Sequence, residues 1–191
     1  MPTCCSGATA LVSVNAAPGT PAGGSYSQSQ TVTIPPVSGG TYYLFVWADA
    51  GGSRAETRED NNQLARPLTV TLPDLAPTAL TAPLLASPGQ SVSVSWTVRN
   101  QGPGTTFGSW TDRIYISPVP SCCAGATSLA SAPIAQVASA GASYARTQAV
   151  TIPRLPAGSY YLIVKADADG SLAEASETNN ERSRKIYILR Q

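Results

Sequence analysis

Histidine is absent from the 191 residues, and that absence excludes more chemistry than any other feature of the chain. It removes the commonest general base and the commonest imidazole metal ligand, so a Ser-His-Asp triad, a Cys-His pair and an imidazole-bearing zinc site are all impossible. Charge is also scarce, at 12% of residues and a formal net charge of +1. The ten Arg and two Lys are scattered, with no basic stripe and no interleaved aromatic run, so nothing favours nucleic acid or an anionic membrane as a partner. No apolar run approaches the roughly 18 residues of a membrane span. The N-terminus lacks the basic and apolar regions of a signal peptide, so any export signal is expected outside this sequence or removed from it. Gly-rich phosphate loops and nucleophile elbows are missing as well.

What the chain has in abundance is Gly and Pro, sixteen of each, among many Ser, Thr, Ala and Val. Gly and Pro punctuate turns, while Val, Thr and Tyr suit a pleated, half-buried surface. The mixture predicts an all-β protein with long polar loops.

The chain is similar to itself at an offset of 118 residues, without a gap over a long stretch. Pro2, Cys4, Cys5, Gly7, Ala8 and Thr9 recur as Pro120, Cys122, Cys123, Gly125, Ala126 and Thr127. Val32-Thr33-Ile34-Pro35 recurs as Val150-Thr151-Ile152-Pro153, Tyr42-Tyr43-Leu44 as Tyr160-Tyr161-Leu162, and Asn61-Asn62 as Asn179-Asn180. Two copies of one structural unit are therefore present. They are unequal. Residues 73–191 read as a complete module, and residues 1–72 as an incomplete one that lacks everything equivalent to Pro73–Val119. The first copy is thus expected to start in mid-module.

The complete copy parses into about seven strands. Leu75–Leu80 precedes a turn at Ser87-Pro88-Gly89-Gln90. In Ser91–Arg99, Val92, Val94, Trp96 and Val98 share one face and polar residues the other, the period of a half-buried antiparallel strand. Asp112–Ser117, Leu129–Ile134, Thr147–Ile152, Ser159–Ala166 and Ser183–Leu189 follow, with Tyr160, Leu162, Val164 and Ala166 forming one face of the sixth. Short strands at this spacing, separated by Gly/Pro turns, predict a two-sheet antiparallel sandwich of immunoglobulin-like type.

Particular residues also carry a family resemblance. Pro73-Asp74-Leu75, Trp96-Thr97-Val98-Arg99-Asn100-Gln101-Gly102, Arg113-Ile114-Tyr115-Ile116-Ser117, and Asp167 followed by Glu174, Glu177, Asn179 and Asn180 resemble a CARDB domain, the cell-adhesion-related domain of bacterial and archaeal surface and secreted proteins. The resemblance spans Pro73–Leu189 and the matching later part in residues 2–70. It implies an immunoglobulin-like sandwich, an extracellular or cell-surface location and a non-catalytic role. The adjacent cysteines are outside the family pattern.

Three groups are candidates for function. The polar loop Asp167, Asp169, Glu174, Glu177, Asn179 and Asn180 offers the hard oxygen ligands that calcium takes, although not at EF-hand spacing. The alternative is a turn at Asp169-Gly170 whose carboxylates and amides bond to backbone. In sequence the loop shows no apolar setting that would tune a carboxyl to act as an acid. The pairs Cys4-Cys5 and Cys122-Cys123 are too close for ordinary zinc spacing. They leave open a bond within each pair, bonds between neighbouring chains, or free thiols. Finally, Tyr43, Phe45 and Trp47 of the first copy stand where the second has Tyr161, Ile163 and Lys165. That makes a more apolar patch, a candidate interface unless a loop of its own sheet covers it.

No catalytic residues and no cofactor other than possible calcium are expected. The expected function is a structural or adhesive module of a secreted or surface tandem-repeat protein, such as a subunit of an extracellular fibre or stalk. Its partners would be copies of itself or neighbouring modules. The rival is a carbohydrate- or protein-binding accessory module of a secreted multidomain protein, in which case glycan binding is possible.

Overall fold

The computed structural model describes residues 7–16 and 19–190. Cys4 and Cys5 lie outside the described residues. The chain falls into two compact units, Met1–Val70 and Thr71–Gln191. No described residue is helical, and no helix long and apolar enough to cross a membrane occurs among them.

The first unit holds two strands, β1 (Gly40–Trp47) and β2 (Gln63–Val70), paired antiparallel as a long hairpin from Gly40↔Val70 to Trp47↔Gln63. The second unit holds β3 (Leu75–Thr81), β4 (Leu85–Ala86), β5 (Ser91–Asn100), β6 (Trp110–Ser117), β7 (Thr127–Ile134), β8 (Ser143–Thr151), β9 (Gly158–Lys165) and β10 (Glu181–Ile188). These form a five-stranded sheet in the order β4-β10-β9-β6-β7 and a three-stranded sheet in the order β3-β5-β8. All pairs are antiparallel except β4 with β10. The architecture is the immunoglobulin-like sandwich that the strand pattern predicts. The extra strand relative to seven is the two-residue β4, too short to leave a periodic signal.

The core lies between the two sheets. From the three-stranded sheet come Leu75, Leu80, Val92, Val94, Trp96, Val98, Tyr144 and Val150; from the other come Ile114, Ile116, Ile134, Leu162, Val164, Ile186 and Ile188. Strand β5 alternates buried and exposed along its length because it sits between β3 and β8 with one face to water. Strand β9 does not. Leu162 and Val164 face the core, yet Ile163 between them is equally buried, and its cross-strand partner Tyr115 is only 8% exposed. The outward face of the five-stranded sheet is thus covered at its centre. Pro77 is tolerated in β3 because that strand is an edge, and the register shifts between Pro77 and Ala79.

The entry to the module is a tight backbone crossing. A Cβ on Gly104 would lie 2.5 Å from the Leu72 carbonyl carbon and the Thr71 oxygen, and one on Gly102 would lie 2.6 Å from the Leu72 oxygen. Only glycine leaves room for the chain to pass there. Gly104 N–H donates to the Leu72 oxygen at 2.9 Å, and Asn100, fully buried, takes Asp74 N–H on its Oδ1 at 3.0 Å.

Candidate functional site

The loop from Asp167 to Asn180 joins β9 to β10 and is organised by its acids. Asp167 takes a positive φ of 39° and caps the loop. Its Oδ1 accepts from Ser171 N–H at 2.9 Å and its Oδ2 from Leu172 N–H at 2.8 Å. Glu177 Oε1 accepts from Glu174 N–H at 3.2 Å. Glu174 reaches across to the first strand, where Oε2 accepts from Leu75 N–H while Oε1 accepts from Asn180 Nδ2 at 2.8 Å. Asn179 Nδ2 donates to Asp74 Oδ1 at 2.7 Å. Asp169 points away and pairs with Arg113 at 2.8 Å.

Three of the six proposed calcium ligands, Asp167, Glu174 and Glu177, therefore accept from backbone or side-chain donors of the fold; Asn179 and Asn180 donate their amide N–H groups, and Asp169 is in an ion pair. Among the described residues, no three acidic or thiol groups converge to hold a metal ion. Two buried oxygens, Oδ1 of Asn179 and of Asn180, have no hydrogen-bond partner.

The loop is less polar in its setting than its sequence suggests. Glu174 is 8% exposed, because β3 closes over it. Burial pushes its carboxyl up to about 7, against the pull of the Leu75 N–H and the Asn180 amide; the nearby charges of Glu177 and Asp167 add to the rise. In sequence only the acid run is visible, since the covering strand lies 99 residues away.

A second polar cluster lies inside the core and was not expected. Asp112 has no exposed surface. Its carboxylate accepts from Trp96 Nε1 at 2.8 Å, from Tyr144 Oη at 2.9 and 3.0 Å, and from Asp167 N–H at 3.4 Å. Trp110 Nε1 donates to Tyr144 Oη at 3.1 Å, with the two rings tilted at a centroid distance of 5.8 Å. Burial raises the Asp112 carboxyl, while the indole and phenol hydrogen bonds pull it back; burial and the Asp112 charge raise the Tyr144 phenol. The signal in the sequence is the phase: Asp112 is in step with the core residues Ile114 and Ile116, as Trp96 is with Val94 and Val98. Every partner is a donor that the fold needs satisfied, and no cleft opens onto the carboxylate, so the cluster braces the two sheets.

The structure sets the sulfurs of Cys122 and Cys123 against each other, across a cis peptide bond. Their loop is tied to β10 by the Cys122 N–H, which donates to Glu181 Oε2 at 3.0 Å. Of the candidate interface residues, Tyr43 and Trp47 are exposed and Phe45 is half-buried. Residues of the hairpin's other face are open too: Leu44 is 38% and Val46 64% exposed, where Leu162 and Val164 are fully buried.

The CARDB family model matches residues 72–184. No curated protein matches the chain. Among solved structures, the chain is similar to a CARDB domain of a Pyrococcus furiosus protein determined in complex with di-metal ions, at 18% identity and a TM-score of 0.48, with 62% of this chain and 90% of that one covered. It is also similar to a domain of a Methanosarcina acetivorans protein assigned to the cell surface, at 21% identity and a TM-score of 0.46, covering 63% and 95%. A β-glucosidase of Thermotoga neapolitana aligns at 16% identity and a TM-score of 0.40, covering 64% of this chain but 16% of the enzyme. The match over residues 72–184 makes this chain a member of the CARDB family of cell-adhesion-related domains.

Proposed function

We propose that this chain is a non-catalytic structural and adhesive part of a secreted or surface-anchored tandem-repeat protein, working through its surfaces. The observation that carries this reading is how the acids are used. Asp112, Asp167, Glu174 and Glu177 each accept hydrogen bonds from groups of the fold. Asp49 and Glu59 of the first unit do the same with Ser53, Arg54 and Glu56. The same acid loop built twice is a device for joining strands, and in the second unit its hydrogen-bonded carboxylates are not set free in a cleft to act on a substrate. Family membership and the absence of histidine agree with it.

A surface location favours oxidised cysteines, and on this reading the adjacent Cys122 and Cys123 are joined to each other. On this reading, intact mass rises by two hydrogens per bonded pair on reduction, and a non-reducing gel shows no ladder of chains. Negative-stain microscopy and sedimentation test the function itself. Filaments or ordered assemblies of native material support the structural role. Monodisperse particles that bind glycans and do not self-associate would overturn it in favour of an accessory binding module.

A further inference from the structure

The centre of the five-stranded sheet is covered on its outward face, and the register identifies the cover. Glu181, Lys165 and Arg113 share one row across β10, β9 and β6, and Ser183, Ile163 and Tyr115 share the next. These positions face outward, since Leu162, Val164, Ile114 and Ile116 between them lie in the core. Strand β6 ends one row further on, at Ser117 beside Tyr161, and β7 begins at Thr127 on the side of β6 away from β9. A plain hairpin between those two strands would stay off the face. Instead the Cys122 N–H donates to Glu181 Oε2 at 3.0 Å, two strands away in the first row. Crossing two strand spacings and four residues of rise takes about 16 Å, which five extended residues and a glutamate side chain can span. Residues 118–126 therefore run back diagonally over the middle row as a strap. Ile163 is 0% and Tyr115 8% exposed beneath it.

The strap is fastened to the sheet at its cysteines. Its other ties are local: Val119 N–H donates to Ser117 Oγ at 3.2 Å, and Ala126 N–H to the Cys123 oxygen at 3.1 Å. Cys123 is exposed and Cys122 half-buried, so the pair is open to thiols in solution. Neither the sandwich nor the acid loop uses this pair, which recurs in the sequence as Cys4-Cys5. Adjacent cysteines joined to each other close a small covalent ring through the peptide between them. The ring restricts the backbone torsions on either side of that peptide, so less conformational entropy is lost in holding the Cys122 N–H on Glu181.

We infer that Cys122 and Cys123 are a reversible thiol–disulfide site that latches the strap over Tyr115 and Ile163, and that a dithiol opens it. One thiolate of the dithiol attacks the exposed Cys123 sulfur; the bond between the two cysteines breaks, and Cys122 leaves as a thiolate and takes a proton. The second thiol then displaces Cys123, which also takes a proton, and the dithiol closes into its own disulfide. Two electrons and two protons have passed to the pair. With the ring open the strap regains its torsional freedom, the Cys122 N–H leaves Glu181, and the carboxylate turns to Lys165, its neighbour in the row. Tyr115 and Ile163 are then uncovered. The latch works within a single chain and goes beyond the structural and adhesive reading, which concerns assemblies.

The test is amide hydrogen exchange on the full chain carrying Cys4→Ser and Cys5→Ser, so that only Cys122 and Cys123 respond, with and without dithiothreitol. Reduction should speed exchange at the Cys122 amide by about ten-fold or more, since a hydrogen bond to a carboxylate is lost. Fluorescence of an apolar dye should rise with it, while the amides of β6 and β9 stay protected. Adding Cys122→Ser and Cys123→Ser should give the reduced behaviour under both conditions. Glu181→Ala should release the strap with the pair still joined, and Glu181→Gln, which keeps an acceptor, should hold it. Equal exchange and dye binding in both redox states overturns the inference. So does a ladder of chains on a non-reducing gel, which would give the two thiols to neighbouring molecules. Loss of protection throughout residues 71–190 on reduction overturns it too, because the pair would then hold the fold and not the strap.

Discussion

Replacing Glu174 with Gln should remove a pH dependence of stability that originates where the module's first strand meets its last loop. In the folded second unit the carboxyl titrates near 7, against 4.5 for an ordinary glutamate. A carboxyl whose folded value is raised binds its proton more tightly when folded. Its contribution is therefore fully present below about 4.5 and is lost as the pH rises through 7. The loss corresponds to on the order of 3 kcal/mol. The structure shows how the proton would be housed. Asn180 Oδ1 is buried without a partner, while its Nδ2 faces Glu174 Oε1 at 2.8 Å. Turning that amide over lets a protonated Oε1 donate to the orphan oxygen. Glutamine has the same donor permanently, and its carbonyl still accepts the Leu75 N–H. Urea titrations of the wild type and Glu174→Gln, read by the fluorescence of buried Trp96 and Trp110, should coincide near pH 4. By pH 8 to 9 the variant should be more stable by a few kcal/mol. The comparison cancels the contribution of Asp112, whose carboxyl is also raised. Parallel profiles across the whole range, or a variant destabilised equally at every pH, would refute the reasoning.

Tyr144→Phe should cost about 1–3 kcal/mol in urea denaturation, because it leaves Trp110 Nε1 and one Asp112 lone pair unsatisfied in the core. Gly104→Ala should cost about 2 kcal/mol or more, since a methyl group cannot fit 2.5 Å from the Leu72 backbone, and hydrogen exchange at Asp74 and Leu75 should speed up with it. Chelation should leave the melting temperature unchanged, and calorimetry with calcium should show no heat, because the loop carboxylates are held by Ser171, Leu172, Leu75 and Glu174 N–H groups. A rise of several degrees with calcium would instead make the loop an ion site.

The sandwich was legible because burial in strands is periodic. Val92, Val94, Trp96 and Val98 are buried with polar residues between them, as their alternation requires. Strand β9 was legible on one face only. Ile163 reads as an outward residue and is buried all the same, since what covers an outer face is decided by loops and not by period. The acid loop was visible as a cluster, but its character was not: whether Glu174 sits in water or under a strand depends on Leu75, which no local window contains. The Asp112 cluster was written in the phase of two strands and went unseen because a carboxylate in a core position reads as an error until its donors, Trp96 and Tyr144, are brought together.

The two copies make the same point within one chain. Ser143–Thr151 is a strand, paired along its whole length with β5. Its counterpart Ser25–Thr33 shares five of nine residues with it and belongs to no strand, nor does Thr9–Ala16, the counterpart of β7. Only the hairpin of β1 and β2 keeps its pairing, because both of its partners lie within the later half of the module. The apolar positions Tyr26 and Val32 match Tyr144 and Val150, so the segment keeps its pattern and what it lacks is the partner strand. Strand formation in this fold follows from long-range pairing with the Thr71–Val119 segment. Supplying that segment to the first unit should turn Ser25–Thr33 into a strand without any change to its own residues.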